Sequence, residues 1–228
     1  MSAIIEVKEV TRTYMQGDIP VHALRGVDLT ISSGEFSVLA GPSGSGKTTL
    51  LNIIGCIDAA SGGQVNVSGH DVTHMTRTEG AEFRLTHIGF VFQAYNLLPV
   101  LTAYENAEFV LMLQGVSAAE RKKIVEPLLE EVGLKDMMHR RPHQLSGGQQ
   151  QRVAVVRAIA SKPSIVLADE PTANLDSETS DGLMAVMENL NKEFGITFLF
   201  SSHDELVLER ARRIVRLDSG KIVGDEYD

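Results

Sequence analysis

Gly41-Pro42-Ser43-Gly44-Ser45-Gly46-Lys47-Thr48 carries the residue types needed to hold a chain of phosphates. It fits the pattern G-x-x-x-x-G-K-[ST] at every defined position. Glycines let backbone N–H groups turn inward and approach phosphate oxygens closely. A helix opening at the end of the loop, through Thr49, directs the positive end of its dipole at the same anion. Lys47 adds a point charge for the β and γ phosphates, and the Thr48 hydroxyl suits Mg²⁺. Further along, Ile165-Val166-Leu167-Ala168-Asp169-Glu170 is an apolar run ending in two carboxylates. In an open α/β sheet, ligands sit beyond the C-terminal ends of the strands. Asp169 then falls near the metal that Thr48 binds. Glu170 can orient or deprotonate a water attacking the γ-phosphate.

Both motifs need strands to carry them. Phe36 to Ala40 is a short apolar run feeding the glycine loop, the pattern of a buried strand. Thr49 to Ile57 reads as the helix that follows, with Leu50, Ile53 and Ile54 on one side. Ile4–Val10, the alternation of Val27, Leu29 and Ile31, and Val65–Val67 before Ser68-Gly69 read as further strands. The middle reads as helical. Ser117 and Glu120 have capping-box spacing ahead of an apolar stripe, which Pro127 is expected to kink or interrupt. Gln149 to Ala160 reads as another helix. Strand–helix alternation then returns: Leu183, Val186, Met187, Leu190 and Phe194 mark an amphipathic helix, Ile196–Phe200 a strand, and Ile214–Val223 a closing hairpin around Asp218-Ser219-Gly220. Strands at both ends around a helical middle indicate an α/β core carrying a helical insertion.

Composition narrows the partners. The 228 residues hold 30 acidic and 21 basic side chains, a formal charge of −9. Binding to nucleic acid by bulk electrostatics needs a basic face, so none is expected. Cys56 is the single cysteine, so no intrachain disulfide can form and a reducing compartment fits. The N-terminus lacks a secretory pattern, and no stretch approaches the roughly 18 apolar residues of a membrane span.

Leu145-Ser146-Gly147-Gly148-Gln149-Gln150-Gln151-Arg152 lies between the two phosphate motifs. A serine and two glycines at a helix start form a second anion cradle, for which one chain holding one nucleotide has no use. Here the sequence resembles the ATP-binding-cassette (ABC) ATPases, whose signature is LSGGQ. The resemblance covers nearly the whole chain. It implies an α/β fold: a P-loop NTPase core with a mixed, mainly parallel sheet, an N-terminal antiparallel β subdomain and an inserted α-helical subdomain. The corresponding division is a core of residues 1–92 and 161–228 with a helical subdomain of 93–160.

The resemblance also implies roles. Two chains would sandwich two MgATP head to tail, with Ser146, Gly147, Gly148 and Gln149 of each facing the other's nucleotide. Gln93 matches the Q-loop glutamine that contacts metal and attacking water. Asp176 in Asn174-Leu175-Asp176 matches the D-loop aspartate, although Ala173-Asn174 replaces the commoner Ser-Ala before it. His203 in Ser201-Ser202-His203-Asp204 matches the switch histidine at the γ-phosphate. Tyr14 sits where the family places an aromatic that stacks on adenine. The resemblance is to ATP-hydrolysing subunits that dimerise on the cytoplasmic face of the inner membrane and drive a transmembrane permease. The permease contact is expected near Gln93–Leu101, where Tyr95, Leu97, Leu98, Val100 and Leu101 either receive a helix of that partner or pack the helical lobe. Leu50-Leu51-Asn52-Ile53-Ile54-Gly55 with Asp58, and Asn96-Leu97-Leu98-Pro99, look like the lipoprotein-releasing and macrolide-export (LolD/MacB-type) branch. The alternatives are an importer subunit and, behind it, a soluble non-transport ATPase of the same family.

Overall fold

The computed structural model describes residues 3–227. A four-stranded antiparallel sheet has the order β2-β1-β4-β5, formed by β1 (Ala3–Gln16), β2 (Ile19–Ser32), β4 (Gly62–Val67) and β5 (His70–Asp71). A six-stranded sheet has the order β10-β9-β3-β8-β7-β6. It is built from β3 (Phe36–Ala40), β6 (Ile88–Phe92), β7 (Ile165–Asp169), β8 (Thr197–Ser202), β9 (Arg213–Asp218) and β10 (Lys221–Tyr227). Five of these strands run parallel, and β10 pairs antiparallel with β9 as the closing hairpin.

The apolar runs are continuous because the parallel strands are covered on both faces. Leu39, Leu167 and Leu199 point into a core shared with the antiparallel sheet and α1 (Lys47–Ile54). Their chain neighbours Val38, Val166, Phe198 and Phe200 point the other way, into a core closed by α6 (Ser177–Phe194) and α7 (Glu205–Arg210). A third core lies among α3 (Ala103–Leu113), α4 (Ala118–Glu131) and α5 (Gly147–Ile159). Helix α5 serves two cores at once, with Val155, Ala158 and Ile159 on the sheet side and Val153 and Val156 on the helical side.

Several expectations shift. Helix α1 starts at Lys47 and stops at Ile54, two residues earlier and three residues shorter at its end than its apolar pattern indicated. Helix α4 runs unbroken through Pro127. Ser117 does cap α4, accepting from the Glu120 N–H, but Glu120 turns its carboxylate to Lys123 instead of closing the box. Phe194 ends α6 half-exposed, outside the core that Leu183, Met187 and Leu190 enter. Three helices carried no clear signal: α2 (Arg77–His87), α3 and α7. In α2 only Gly80 and Phe83 are buried, so there is no apolar stripe to read.

Candidate active site

Strand β3 ends at Ala40, and the chain turns through the glycine loop into α1. Two glycines are required by geometry. Gly46 has φ +109 and lies so close to β2 that a Cβ would stand 2.7 Å from the Ala23 carbonyl. A Cβ on Gly41 would overlap the Leu217 carbonyl of β9. Gly46 caps α1 in a left-handed conformation without any side-chain hydrogen bond, and no acidic residue lies in the first turn. The first amides of α1 therefore have no side-chain acceptor from the cap, and the positive end of the helix faces outward. Lys47 is 6% exposed and folds back over the loop, donating to the Gly41 carbonyl at 2.7 Å and the Pro42 carbonyl at 3.1 Å. Ser45 Oγ is buried with no hydrogen-bond partner among the described residues. A cation, free helix amides and an orphan hydroxyl around one loop fit a phosphate chain.

The carboxylates come from the parallel strand two places along the sheet. Asp169 closes β7, and its Oδ1 accepts from Thr48 Oγ1 at 3.0 Å. Glu170 follows with φ +45, a left-handed conformation uncommon for a side chain of this size. Its Oε1 lies 3.8 Å from Lys47 Nζ and 2.9 Å from His203 Nδ1. Gln93 leaves the end of β6, and its carbonyl accepts from Asn174 Nδ2 at 2.9 Å. A cavity of about 400 Å³ opens between these groups, lined by Ser43, Gly44, Gly46, Lys47, Thr48, Thr49, Gln93, Glu170 and His203, with Ala23 and Ala173. Gly41, Pro42 and Ser45 form the loop behind Lys47, and Asp169 reaches the site through Thr48. A larger cavity of about 500 Å³, between Ile124, Pro127, Leu128, Pro163 and Phe194, is lined mainly by apolar residues with Lys123 and Lys162 beside them, and lacks the glycine loop and the carboxylates.

The same residues fit Mg²⁺. Among the described residues no cluster of three or more His, Cys, Asp or Glu side chains could hold a metal. Mg²⁺ asks less of a protein: one or two oxygen ligands, with substrate phosphates and water completing the octahedron. The Thr48 hydroxyl and the Asp169 carboxylate, with Gln93 at the cavity, are such a set.

Other expected site residues lie apart. Ser146 caps α5 in a complete capping box, accepting from the Gln149 N–H at 3.3 Å while Gln149 Oε1 accepts from the Ser146 N–H at 3.0 Å. Neither these two residues nor Gly147 and Gly148 line the cavity beside Lys47. Asp176 caps α6 and accepts from both the N–H and the hydroxyl of Thr179 at 2.9 Å. The Thr179 N–H, and then its hydroxyl, hold the Asp176 carboxyl below the usual carboxylate range. Tyr14 does not line the cavity either. Its hydroxyl donates to Asp58 at 2.6 Å, and the Arg12 guanidinium stands 4.5 Å over its ring while pairing with the same Asp58.

A family model described as ABC transporter matches residues 24–173. The chain belongs to the ABC transporter family. It is 47% identical over 222 residues to the lipoprotein-releasing system ATP-binding protein LolD of Anaeromyxobacter dehalogenans, covering 97% of this chain and 93% of that one. It is 46% identical over 221 residues to the macrolide export ATP-binding/permease protein MacB of Syntrophobacter fumaroxidans, spanning 96% of this chain but 31% of that protein. A solved ATP-binding cassette in a dimeric post-hydrolysis state, bound to ADP and Pi, superposes with a TM-score of 0.90 at 42% identity over 98% of each chain. The cassette described here is an ATP-binding, ATP-hydrolysing subunit of that family, and its α/β architecture is that of the superposed cassettes. No helix among the described residues is long and apolar enough to cross a membrane.

Four residues make contacts at the site that the sequence reading did not assign them. Asp58 and Arg12 anchor Tyr14, and Asn174 holds the Gln93 backbone. The fourth, Ser201, donates to the Asp169 carboxylate and accepts from the Glu170 backbone N–H. In the sequence it shows only as a hydroxyl at the end of an apolar strand, two residues before His203.

Proposed function

We propose that two copies of the cassette close head to tail over two MgATP and drive a membrane partner of the export or lipoprotein-release type. The observation that carries this reading is the separation of two anion-binding helix starts in one chain. The α1 loop forms the cavity with Lys47, whereas Ser146–Gln149 stand outside it. A second copy, turned around, supplies the missing wall. The dimeric relative and the LolD and MacB relatives support this assembly and this branch.

Lys47 and the loop amides hold the β and γ phosphates, displacing the lysine from the Gly41 and Pro42 carbonyls. Thr48, Asp169 and Gln93 would hold Mg²⁺, which supplies charge neutralisation on the phosphate oxygens when bound. Glu170 accepts a proton from the attacking water. His203, which holds Glu170 Oε1 in the resting chain, orients that carboxylate and hydrogen-bonds the developing charge. Positioning and electrostatic stabilisation carry most of the rate in phosphoryl transfer. Release of phosphate weakens the sandwich, and the opening is the output.

The permease contact is assigned to Gln93–Leu101, at the start of a helical subdomain of residues 93–160. This segment is held rigidly. Arg157 binds the Tyr95 carbonyl at 2.8 Å, and Asn106 binds the backbone at Leu98, Leu101 and Thr102. Leu98 and Val100 are exposed, at 40% and 73%, while Leu97 packs against the helical core. The docking face thus centres on Leu98 and Val100.

Glu170→Gln tests the chemistry. ATP binding is expected to persist, turnover to fall about 10²–10⁴-fold, and an ATP-bound dimer to accumulate in size-exclusion chromatography. A variant that turns over at the wild-type rate would remove Glu170 from its role.

A further inference from the structure

Ser201 is fully buried at the C-terminal end of β8, registered beside Asp169 on β7 and Leu39 on β3. A hydroxyl is costly in such a place unless it is hydrogen-bonded. Leu199, two residues earlier on the same face, shows that an aliphatic side chain fits this layer. Ser201 uses its hydroxyl twice. Oγ donates to Asp169 Oδ1 and accepts from the Glu170 N–H at 3.2 Å. The same N–H reaches the Ser201 carbonyl at 3.1 Å.

The consequence for Asp169 is specific. Its Oδ1 takes two hydroxyl protons, from Ser201 and from Thr48, and its Oδ2 takes none from any described residue. A carboxylate on a buried strand end can rotate about its last bond, and two donors on one oxygen stop that rotation. A hydroxyl whose proton is committed to a carboxylate offers only lone pairs to a cation. Ser201 therefore sets the acceptor that turns Thr48 into a metal ligand. Its second bond pins the peptide that places Glu170 at φ +45, a conformation that persists where the surroundings over-determine it.

We propose that Ser201 is a positioning residue for both carboxylates, orienting Asp169 for the Thr48–Mg²⁺ side and fixing the backbone from which Glu170 acts. The proposal rests on the assignment of Thr48 and Asp169 to the metal side. Partners one shell behind a ligand typically change metal affinity by about 10–100-fold.

Calorimetric titration of ATP into the full chain, in EDTA and across a range of Mg²⁺ concentrations, tests it without turnover. For Ser201→Ala, ATP affinity in EDTA is expected within about 2-fold of wild type, and half-maximal Mg²⁺ enhancement to need about 10-fold more metal. Ser201→Thr keeps the hydroxyl in a strand and is expected to restore the wild-type Mg²⁺ dependence. An unchanged Mg²⁺ dependence in Ser201→Ala would overturn the proposal. So would a Ser201→Thr variant as impaired as the alanine variant, because packing would then be the cause. Asp169→Asn separates the two levels. Loss of Mg²⁺ enhancement in Asp169→Asn beside an unaffected Ser201→Ala overturns the role of Ser201 alone. Full enhancement in Asp169→Asn overturns the metal-side assignment and the proposal together.

Discussion

Helices α1 and α5 begin with similar sequences and end up chemically opposite. Both open on small residues and glycine, and both look like anion cradles. In α1 the cap is a left-handed glycine with no side-chain bond, and a buried lysine lies across the loop. In α5 the cap is Ser146, whose hydroxyl and backbone N–H are both engaged by Gln149. An end with unsatisfied amides binds an anion directly. A complete capping box already satisfies two of those groups and makes the end rigid. In the proposed dimer the first helix start grips its own nucleotide, and the second presents a preformed surface to another chain. Helix α6 is a third case, capped by the charged Asp176.

The largest effect is expected at the open helix start. Among the described residues that line the cavity, Lys47 is the one lysine or arginine, and Lys47→Ala removes it. ATPase activity should fall by at least about 10²–10³-fold, with ATP binding weakened in the same variant. A Lys47→Ala chain that binds ATP normally would erase the contrast between the two starts. At the closed start the effect should be smaller and of another kind. Ser146→Ala loses a cap worth about 1 kcal/mol, a Tm drop of about 2–4 °C for a chain of this size. ATP affinity of the isolated chain should stay at the wild-type value while ATP-driven dimer formation weakens. Reduced ATP affinity in the monomer would place Ser146 in its own chain's pocket.

The smallest effect belongs to α6. The Thr179 bonds lower the Asp176 carboxyl in the folded state relative to its unfolded value. The stability it contributes is present above the unfolded carboxylate pKa, about 4, and is lost as pH falls through the depressed folded value. Asp176→Asn keeps a capping side chain without the charge. Its Tm is expected to decline less steeply than wild type on acidification below about pH 4. Parallel acid limbs would show that Asp176 contributes no proton linkage.

How much of this was legible depends on how each element is specified. The strands β3, β7 and β8 were readable because burial on both faces leaves an uninterrupted apolar run. The phosphate loop was readable because its glycines and lysine answer to backbone geometry. Helix α1 was misjudged at both ends, since its start depends on the conformation of Gly46 and its C-cap is Gly55, not an apolar boundary. Helix α2 was invisible because its fixed point is the Thr76–Glu79 capping box and not a hydrophobic stripe. Pro127 misled because a single proline within a well-packed helix is tolerated when Val125 and Leu129 on either side are fully buried. Ser201, Asp58 and Asn174 act through partners at least 31 residues away in the chain, a relation no local pattern displays.

The central claim is that one nucleotide needs two chains. Specific ATPase activity measured on serial dilution, with light scattering on the same samples at saturating MgATP, tests it most directly. Activity per chain should fall on dilution in step with the fraction of dimer and be abolished when every chain is monomeric. Constant activity per chain in samples that scatter only as monomer would contradict the account.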